Sequence, residues 1–469
     1  MKIKHILFLT VIAASLAFFA GKANAAEATP LTIEINSPDN SEAMKDNIYD
    51  TVASFKAGDV ITVKSTTPMA GIYIKWNSPV KPWTITYNGS TESKGVNGFL
   101  HEYVKFAQTA NECSITVSAD AQICDIIAYS EGELPGDVQL WQPPCDNEAD
   151  FIVFSTHADD EILFLGGVLA TYAGQEKLNV QVVYMTNYWD GEKVREHEKL
   201  DGIWHSGVKI YPVNSTFPDI YAENLEDAMN VYSYNEILAF VSEQIRRFKP
   251  MVCVTQDLNG EYGHGGHMIL AKAVCEAVDK SNDNSFMEES VKKYGAWEVP
   301  KTYLHLYEQN SITMDLRKPL SNMGNRTALE IATEAYKKHE SQQWCWFYVS
   351  DDYKYSCNRF GLYKTTVGAD TGNDMFEHLT SYAEIKAKRE EESRLAAEAE
   401  SESIRQSEEA SISEAESLSE AESISLAEAD NKDGNSFGTI KILVIVAGAL
   451  AVILFAIILL SKKKSKPVD

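Results

Sequence analysis

The chain has 469 residues, 42 basic and 68 acidic, for a formal net charge of −26. Such an acidic excess argues against a nucleic-acid partner, because contact with phosphates calls for the opposite sign. Seven cysteines, scattered and without a C-x-x-C pair, argue against a disulfide framework, although Cys113–Cys124 or Cys345–Cys357 could each close a local loop.

Residues 1–25 begin with Lys2 and Lys4, continue through an apolar run from Ile6 to Ala20 and end at Ala23-Asn24-Ala25. That layout is a secretory signal peptide with its cleavage site. Residues 29–144 then alternate on a two-residue period. LTIEIN, DVITVKS, GIYIKW, WTITYNG, YVKF, CSITVSA and CDIIAYS are separated by turn-rich pieces such as SPDNSE and NGSTESKG. The pattern predicts an all-β sandwich, jelly-roll-like, and the presence of Trp76, Trp83 and Tyr87 leaves two readings open: a sugar-stacking surface or sandwich core. The general look is similar to the galactose-binding-like accessory modules of secreted carbohydrate enzymes.

From Asp150 to about residue 375 the rhythm changes. FIVFST, LNVQVVYMTN, KIYPVN and MVCVTQD read as strands. EILFLGGVLATYAGQ, REHEKLDGIWHSG, NVYSYNEILAFVSEQIRRF and HMILAKAVCEAVDK read as helices between and after them. KTYLHLYE adds a strand and ALEIATEAYKKHESQQ a late helix. Alternating strands and helices predict an α/β domain with a Rossmann-like parallel sheet. Its ligand site is expected outside the carboxyl ends of the strands.

Residues 384–436 form an acidic Ser/Glu/Ala segment in which Glu390 to Asp430 holds 14 acids and two bases. It lacks aromatics and a steady heptad, so the expectation is a self-repelling stalk, partly helical near Glu384 to Glu400, with a coiled coil as the other reading. Within residues 440–461, Ile442 to Leu460 is uncharged and apolar, long enough for one transmembrane helix. Lys462, Lys463, Lys464 and Lys466 follow, so the tail 462–469 is expected to be cytoplasmic and the rest outside, on a bacterial cell surface.

The chemistry concentrates at two predicted strand ends. The stretch FIVFSTHADDEILFLGG places His157, Asp159 and Asp160 where a strand meets a helix, and DLNGEYGHGGHMIL places Tyr262, His264 and His267 before another helix. Alone, Asp159 and Asp160 could simply cap a helix. Together the loops suit a divalent metal site, with two imidazoles and a carboxylate as ligands and a fourth position for water. Water activated there, a nearby carboxylate to take its proton and a donor facing the oxyanion fit metal-assisted hydrolysis of an amide.

These residues resemble the signatures of the PIG-L (LmbE-like) zinc-dependent de-N-acetylases. Thr156-His157-Ala158-Asp159-Asp160-Glu161 is similar to a family A-H-P-D-D-E element, and Gly260 to His267 to a family G-x-Y-G-H-P-D-H element. Asp190-Gly191-Glu192 with Arg195 and Glu198, and His339-Glu340-Ser341-Gln342, are weaker matches. The resemblance spans about Asp150 to Gly368. It implies His157, Asp160 and His267 as ligands of Zn2+ or another divalent transition metal, and Asp159 as general base. It further implies His264 as oxyanion or leaving-group partner, Tyr262 as a stabiliser of the tetrahedral intermediate and Arg195 as a substrate contact. Ala158 stands in place of the family proline and Gly265-Gly266 in place of Pro-Asp, which puts loop stiffness in doubt. The implied activity is removal of the N-acetyl group from an N-acetylated amino sugar of a glycan. The alternatives are a glycan-binding surface protein with a degenerate metal domain, and an amidase acting on another sugar-linked amide.

Overall fold

A computed structural model describes residues 26–430. The expected signal peptide, transmembrane helix and basic tail lie outside these residues. Among the described residues no helix is long and apolar enough to cross a membrane.

The first layer is β throughout. Strands β1 (Glu34–Asn36), β2 (Ala53–Phe55), β3 (Val60–Trp76), β4 (Trp83–Tyr87), β5 (Ser90–Lys94), β6 (His101–Thr116) and β7 (Ala121–Tyr129) form one antiparallel sheet of order β2-β7-β3-β6-β4-β5, with β1 paired to β3. Four of the expected short strands are halves of two long ones: DVITVKS and GIYIKW merge in β3, YVKF and CSITVSA in β6. The register between β3 and β6 breaks from Lys64 to Met69, and Pro68, which has no N–H to give a ladder, sits in the break. Asn111 spans the gap with hydrogen bonds to the carbonyls of Ser65 and Thr66. One half of β3 pairs with β1 and the other with β7, so a single sheet bends over its own core. Trp76, Trp83 and Tyr87 are buried within that core, which settles them as packing residues.

The second layer contains β8 (Phe151–Ser155), β9 (Val180–Asn187), β10 (Val213–Pro218), β11 (Val252–Thr255), β12 (Lys301–His305) and β13 (Ser311–Thr313). The short pair β14 (Pro319–Leu320) and β15 (Arg326–Thr327) lies apart, and β16 (Arg359–Thr365) closes the set. The sheet order is β10-β9-β8-β11-β12-β16-β13, parallel from β10 to β12 and antiparallel at β16 and β13. In chain order the parallel strands run 3-2-1-4-5, so the direction of winding reverses between β8 and β11, where a crevice opens at the strand ends. Every residue of β8 is buried, because alternate side chains serve two cores: Phe151 and Val153 on one face, Ile152 and Phe154 on the other.

Four elements depart from the periodicity. The strand expected over KIYPVN starts later, at Val213, and β16 and β13 carry too short a pattern to stand out. The helix expected over EILFLGGVLATYAGQ is broken into Asp160–Leu163, Gly166–Val168 and a π-helical stretch Leu169–Gln175. The middle piece is closely packed: a Cβ on Gly166 would lie 2.9 Å from Ala332 Cβ, and one on Gly167 would lie 2.8 Å from the carbonyl oxygen of Cys357. All seven cysteines are free.

The β layer and the α/β layer belong to one compact unit that runs to Ala383. His101 of β6 meets His197 of the helix Val194–His205 at 2.9 Å, and Tyr49 donates to Asp201 of that helix at 2.7 Å. From Glu384 the chain forms a second unit, carried by a helix of 49 residues, Tyr382–Asp430, rather than the partly helical stalk the composition suggests. Alanine and glutamate favour helix, and Arg394 and Arg405 each bridge acids three or four residues away.

Candidate metal centre

The site lies where the chain leaves β8 and β11. His157 follows β8 directly, and its backbone N–H donates to Asp160 Oδ2 at 2.9 Å. Between them Asp159 holds φ at +131°, a value rare for a residue with a side chain. Its N–H is bonded to Glu161 Oε2 at 2.8 Å, which fixes the turn. After β11, Gly260 and Tyr262 also take positive φ, and the chain enters the helix Gly265–Lys280 with His264 as its N-cap. His264 Nδ1 accepts the Gly266 N–H at 3.1 Å, so in the neutral ring the proton sits on Nε2.

Three donor atoms converge. Asp160 Oδ2 lies 2.8 Å from His157 Nδ1 and 3.1 Å from His267 Nε2, and the two nitrogens are 3.2 Å apart. Edges of that length belong to ligands that share one ion at roughly 2.0–2.2 Å. The outer ring nitrogens are engaged by carboxylates: His267 Nδ1 with Glu261 Oε2 at 2.7 Å, and His157 Nε2 with Asp219 Oδ1 at 3.5 Å. With an ion bound, these outer carboxylates would hold each imidazole with its proton outward and a lone pair inward, the arrangement that supports a metal ligand. His264 brings a ring nitrogen within 4.8 Å of those of His157 and His267. The donor set fits a divalent cation.

Electrostatics agree. Burial alone would lower His267, but Asp160 and Glu261 outweigh it and raise the ring to about 10, the response of a pocket with surplus negative charge. Burial would raise Glu261, but hydrogen bonds from His267 and from His305 Nδ1, at 2.6 Å, hold it at about 2. Burial and then the charge of Asp160 push Asp159 up to about 7. Burial and the neighbouring His157 and His267 push His264 down to about 3, so it stays neutral.

Arg195 reaches in from the helix Val194–His205. It donates to the carbonyl of Ala158 at 2.7 Å, lies 3.4 Å from both Asp159 and Asp219, and stacks over the Tyr188 ring at 4.2 Å. Tyr262 stands at the mouth, its ring 5.3 Å from that of His267. All seven residues singled out from the sequence thus gather in one crevice. The two weaker motifs also meet: Glu198 accepts from the Ser341 N–H at 2.7 Å and from its hydroxyl at 2.6 Å, while His339 Nε2 lies 3.3 Å from Glu161 Oε1. Sequence reasoning gave no part to Glu261, His305 or Asp219. Asp219 stands just past β10, and attention to every parallel strand end would have raised it. Glu261, six residues before His267, follows no helical spacing and had no such signal.

The loop substitutions find support in packing. Gly265 donates to the carbonyl of Ala222 at 2.9 Å, and a Cβ there would meet the Asn224 carbonyl oxygen at 2.0 Å. Contact with the 222–224 segment holds this turn where proline is absent.

Residues 152–278 match the family model described as PIG-L: GlcNAc-PI de-N-acetylase. The chain is 24% identical over 187 residues to 1D-myo-inositol 2-acetamido-2-deoxy-alpha-D-glucopyranoside deacetylase 1 of Catenulispora acidiphila, covering 32% of this chain and 54% of that one. It is 25% identical over 187 residues to the deacetylase of that description from Rhodococcus erythropolis, covering 34% and 62%. The chain thus spans less than two thirds of each of these relatives. Among solved structures, N,N'-diacetylchitobiose deacetylase from Pyrococcus horikoshii gives a TM-score of 0.31 at 17% identity, over 41% of this chain and 71% of that one. A conserved protein of Thermus thermophilus gives 0.31 at 19% identity, over 41% and 80%. The chain carries a PIG-L family domain at residues 152–278.

Proposed function

We propose that the protein is a metal-dependent hydrolase that removes the N-acetyl group from an amino sugar, exported and held at the cell surface by its C-terminal apolar segment. The observation that carries the reading is the triangle of Asp160 Oδ2, His157 Nδ1 and His267 Nε2, with no edge longer than 3.2 Å. Those residues would hold zinc or a similar divalent ion. Such an ion lowers the pKa of bound water to about 7 and polarises a carbonyl.

The remaining work falls to the chain. Asp159 takes a proton from the attacking water and returns it to the leaving nitrogen. Burial and the charge of Asp160 raise its pKa, the direction that favours holding the proton between the two steps. Arg195, 3.4 Å away, orients the Asp159 carboxylate and offers a guanidinium face to substrate hydroxyls. The His264 Nε2–H points its donor at the developing oxyanion, a contact worth roughly 3 kcal/mol in comparable sites. Tyr262 supplies a phenol at the mouth, kept protonated by burial and by the nearby carboxylates.

Names of the relatives support an N-acetylglucosamine-type substrate, and the sequence ends support export and anchoring. A purely glycan-binding role would need a binding face on the β layer, and the aromatics that suggested one are core residues. The test is acetate release by the zinc-loaded full chain from N-acetylglucosamine and its oligomers. Absence of acetate from such a panel, with one zinc bound per chain, overturns the proposal.

A further inference from the structure

Residues 344–348, Trp-Cys-Trp-Phe-Tyr, put large apolar rings in water beside the site. Trp344 is 82% exposed and Trp346 61%. Isolated exposed leucines need no account, but indoles gathered at a cleft mouth mark a surface that is covered in use. Trp346 packs on Phe347 with ring centres 4.0 Å apart, and Phe347 packs on Tyr262 at 4.5 Å, so this segment is tied to the metal loop.

Trp344 stands on the rim of a cleft of about 490 Å³ that is floored by Arg195, Asp219 and Gln342. Arg195 and Asp219 contact Asp159 and His157, so this cleft opens from the reacting centre. Ser341 lines it and also lines a second cleft, of about 550 Å³, at the seam with the β layer. The second cleft takes Tyr49, Lys75 and Gly136 from the β side and its linker, and Asp201 from the helix Val194–His205. One amino sugar needs only the first. Each volume falls in the range of roughly 300–1,000 Å³ usual for a ligand cleft.

From the wall they share at Ser341 we infer that the two clefts act as one groove for a chain of several pyranose units, with Trp344 as the stacking platform next to the reacting sugar. This rests on the amino-sugar deacetylase reading and extends it from a single sugar to an oligosaccharide. Pyranose rings have apolar C–H faces and polar edges, which match an indole wall above a polar floor. Charge narrows the class further. Five carboxylates (Asp50, Asp137, Glu198, Asp201 and Glu340) against two lysines line the seam cleft, which disfavours polyanionic glycans and suits neutral or amino-bearing ones.

The experiment is calorimetric titration of the full-length Asp159→Ala chain, zinc-loaded, with N-acetylglucosamine and with its β-1,4-linked pentamer. The pentamer should bind at least about tenfold more tightly than the single sugar. Trp344→Ala should weaken pentamer binding about 5- to 10-fold, the scale of one aromatic stacking contact, and Trp344→Phe should restore most of it. Gly136→Trp plugs the seam cleft, since a Cβ there meets nothing within 4 Å, and should erase the advantage of the pentamer. Thermal melts of each variant separate a lost site from a lost fold. Equal affinities for the two sugars, or a pentamer advantage untouched by both Trp344→Ala and Gly136→Trp, overturn the groove. Acetate release by the unsubstituted chain is scored separately, so failure of the groove and failure of the deacetylase reading give different results.

Discussion

Asp159 and Asp160 are neighbours with the same chemistry, yet the fold gives them opposite tasks. Asp160 sits between two imidazoles that outweigh its burial and keep its carboxyl well below the usual range, as a ligand requires. Asp159, turned away by its positive φ and held near Arg195, is pushed up to about 7. Asp159→Ala should therefore abolish acetate release while the protein still binds one zinc, whereas His267→Ala should lose the metal. Glu261→Gln separates a third role. It keeps the side chain's size but removes the charge that holds His267 with its lone pair inward, and zinc affinity should fall about 10- to 100-fold by competition with a chelating dye. Unchanged zinc affinity in Glu261→Gln would remove that positioning role. A different carboxyl reports on stability. Burial raises Asp125 to about 6, against about 3.9 in an unfolded chain. Above pH 6 the folded state bears the cost of the buried charge. As pH falls from 6 to 4 the folded state takes up the proton first, so this group's contribution rises by on the order of 2–3 kcal/mol. Asp125→Asn should lack that gain, visible as a flatter dependence of urea midpoint on pH between 6 and 4.

At the level of elements, legibility followed the size of the signal. The parallel strands were readable because β8, β9 and β11 are buried on both faces and so are continuously apolar. The two motifs were readable because they sit directly at the ends of β8 and β11. What escaped depended on contacts distant in sequence. The bend that joins two predicted strands in β3 is set by its pairing with β6 and by Asn111, not by the local pattern. The close approach of Ala332 and Cys357 to Gly166 and Gly167, just past the break after Leu163, is likewise set by residues far along the chain. The aromatics of the β layer alternate in the same way whether they face a ligand or a core, so pattern alone could not choose. The metal loop shows how such contacts act. Gly265→Ala would drive a methyl into the Asn224 carbonyl and displace the helix start that carries His264 and His267. Overpacking of this kind costs roughly 1–3 kcal/mol. The expected result is a lower melting temperature together with weaker zinc binding. Weaker binding with an unaltered melt, or the reverse, would show that turn and site are not coupled as the packing implies.

At the scale of the whole molecule, one helix both touches the β layer and carries a residue of the site. Val194–His205 presents Arg195 to the reacting centre, and within two turns presents His197 and Asp201 to the β layer. His197 meets His101, which also contacts Gln139 at 2.7 Å, and Asp201 accepts from both Tyr49 and Gln139. Burial pushes both histidines down, His197 to about 3, so near neutral pH the pair is a neutral hydrogen bond. Trp204 adds a bond to the carbonyl of Gly136 at 2.8 Å, and Tyr211 accepts from the Leu100 N–H at 3.1 Å. His101 and His197 are themselves fully buried, so removing one leaves the other without its partner. Two layers joined this way should unfold together. Calorimetry of the full chain should show one transition for them, with calorimetric and van't Hoff enthalpies in agreement. His197→Ala removes the partner of His101 and should lower that transition and begin to split it. It should also raise KM more than it lowers kcat, because the helix that carries Arg195 loses a hold on the β layer while the loop that carries Asp159 and the ligands keeps its own contacts. Two well-separated transitions in the unsubstituted protein would mean that the β layer is an appended module, and that Arg195 is placed by the α/β layer alone.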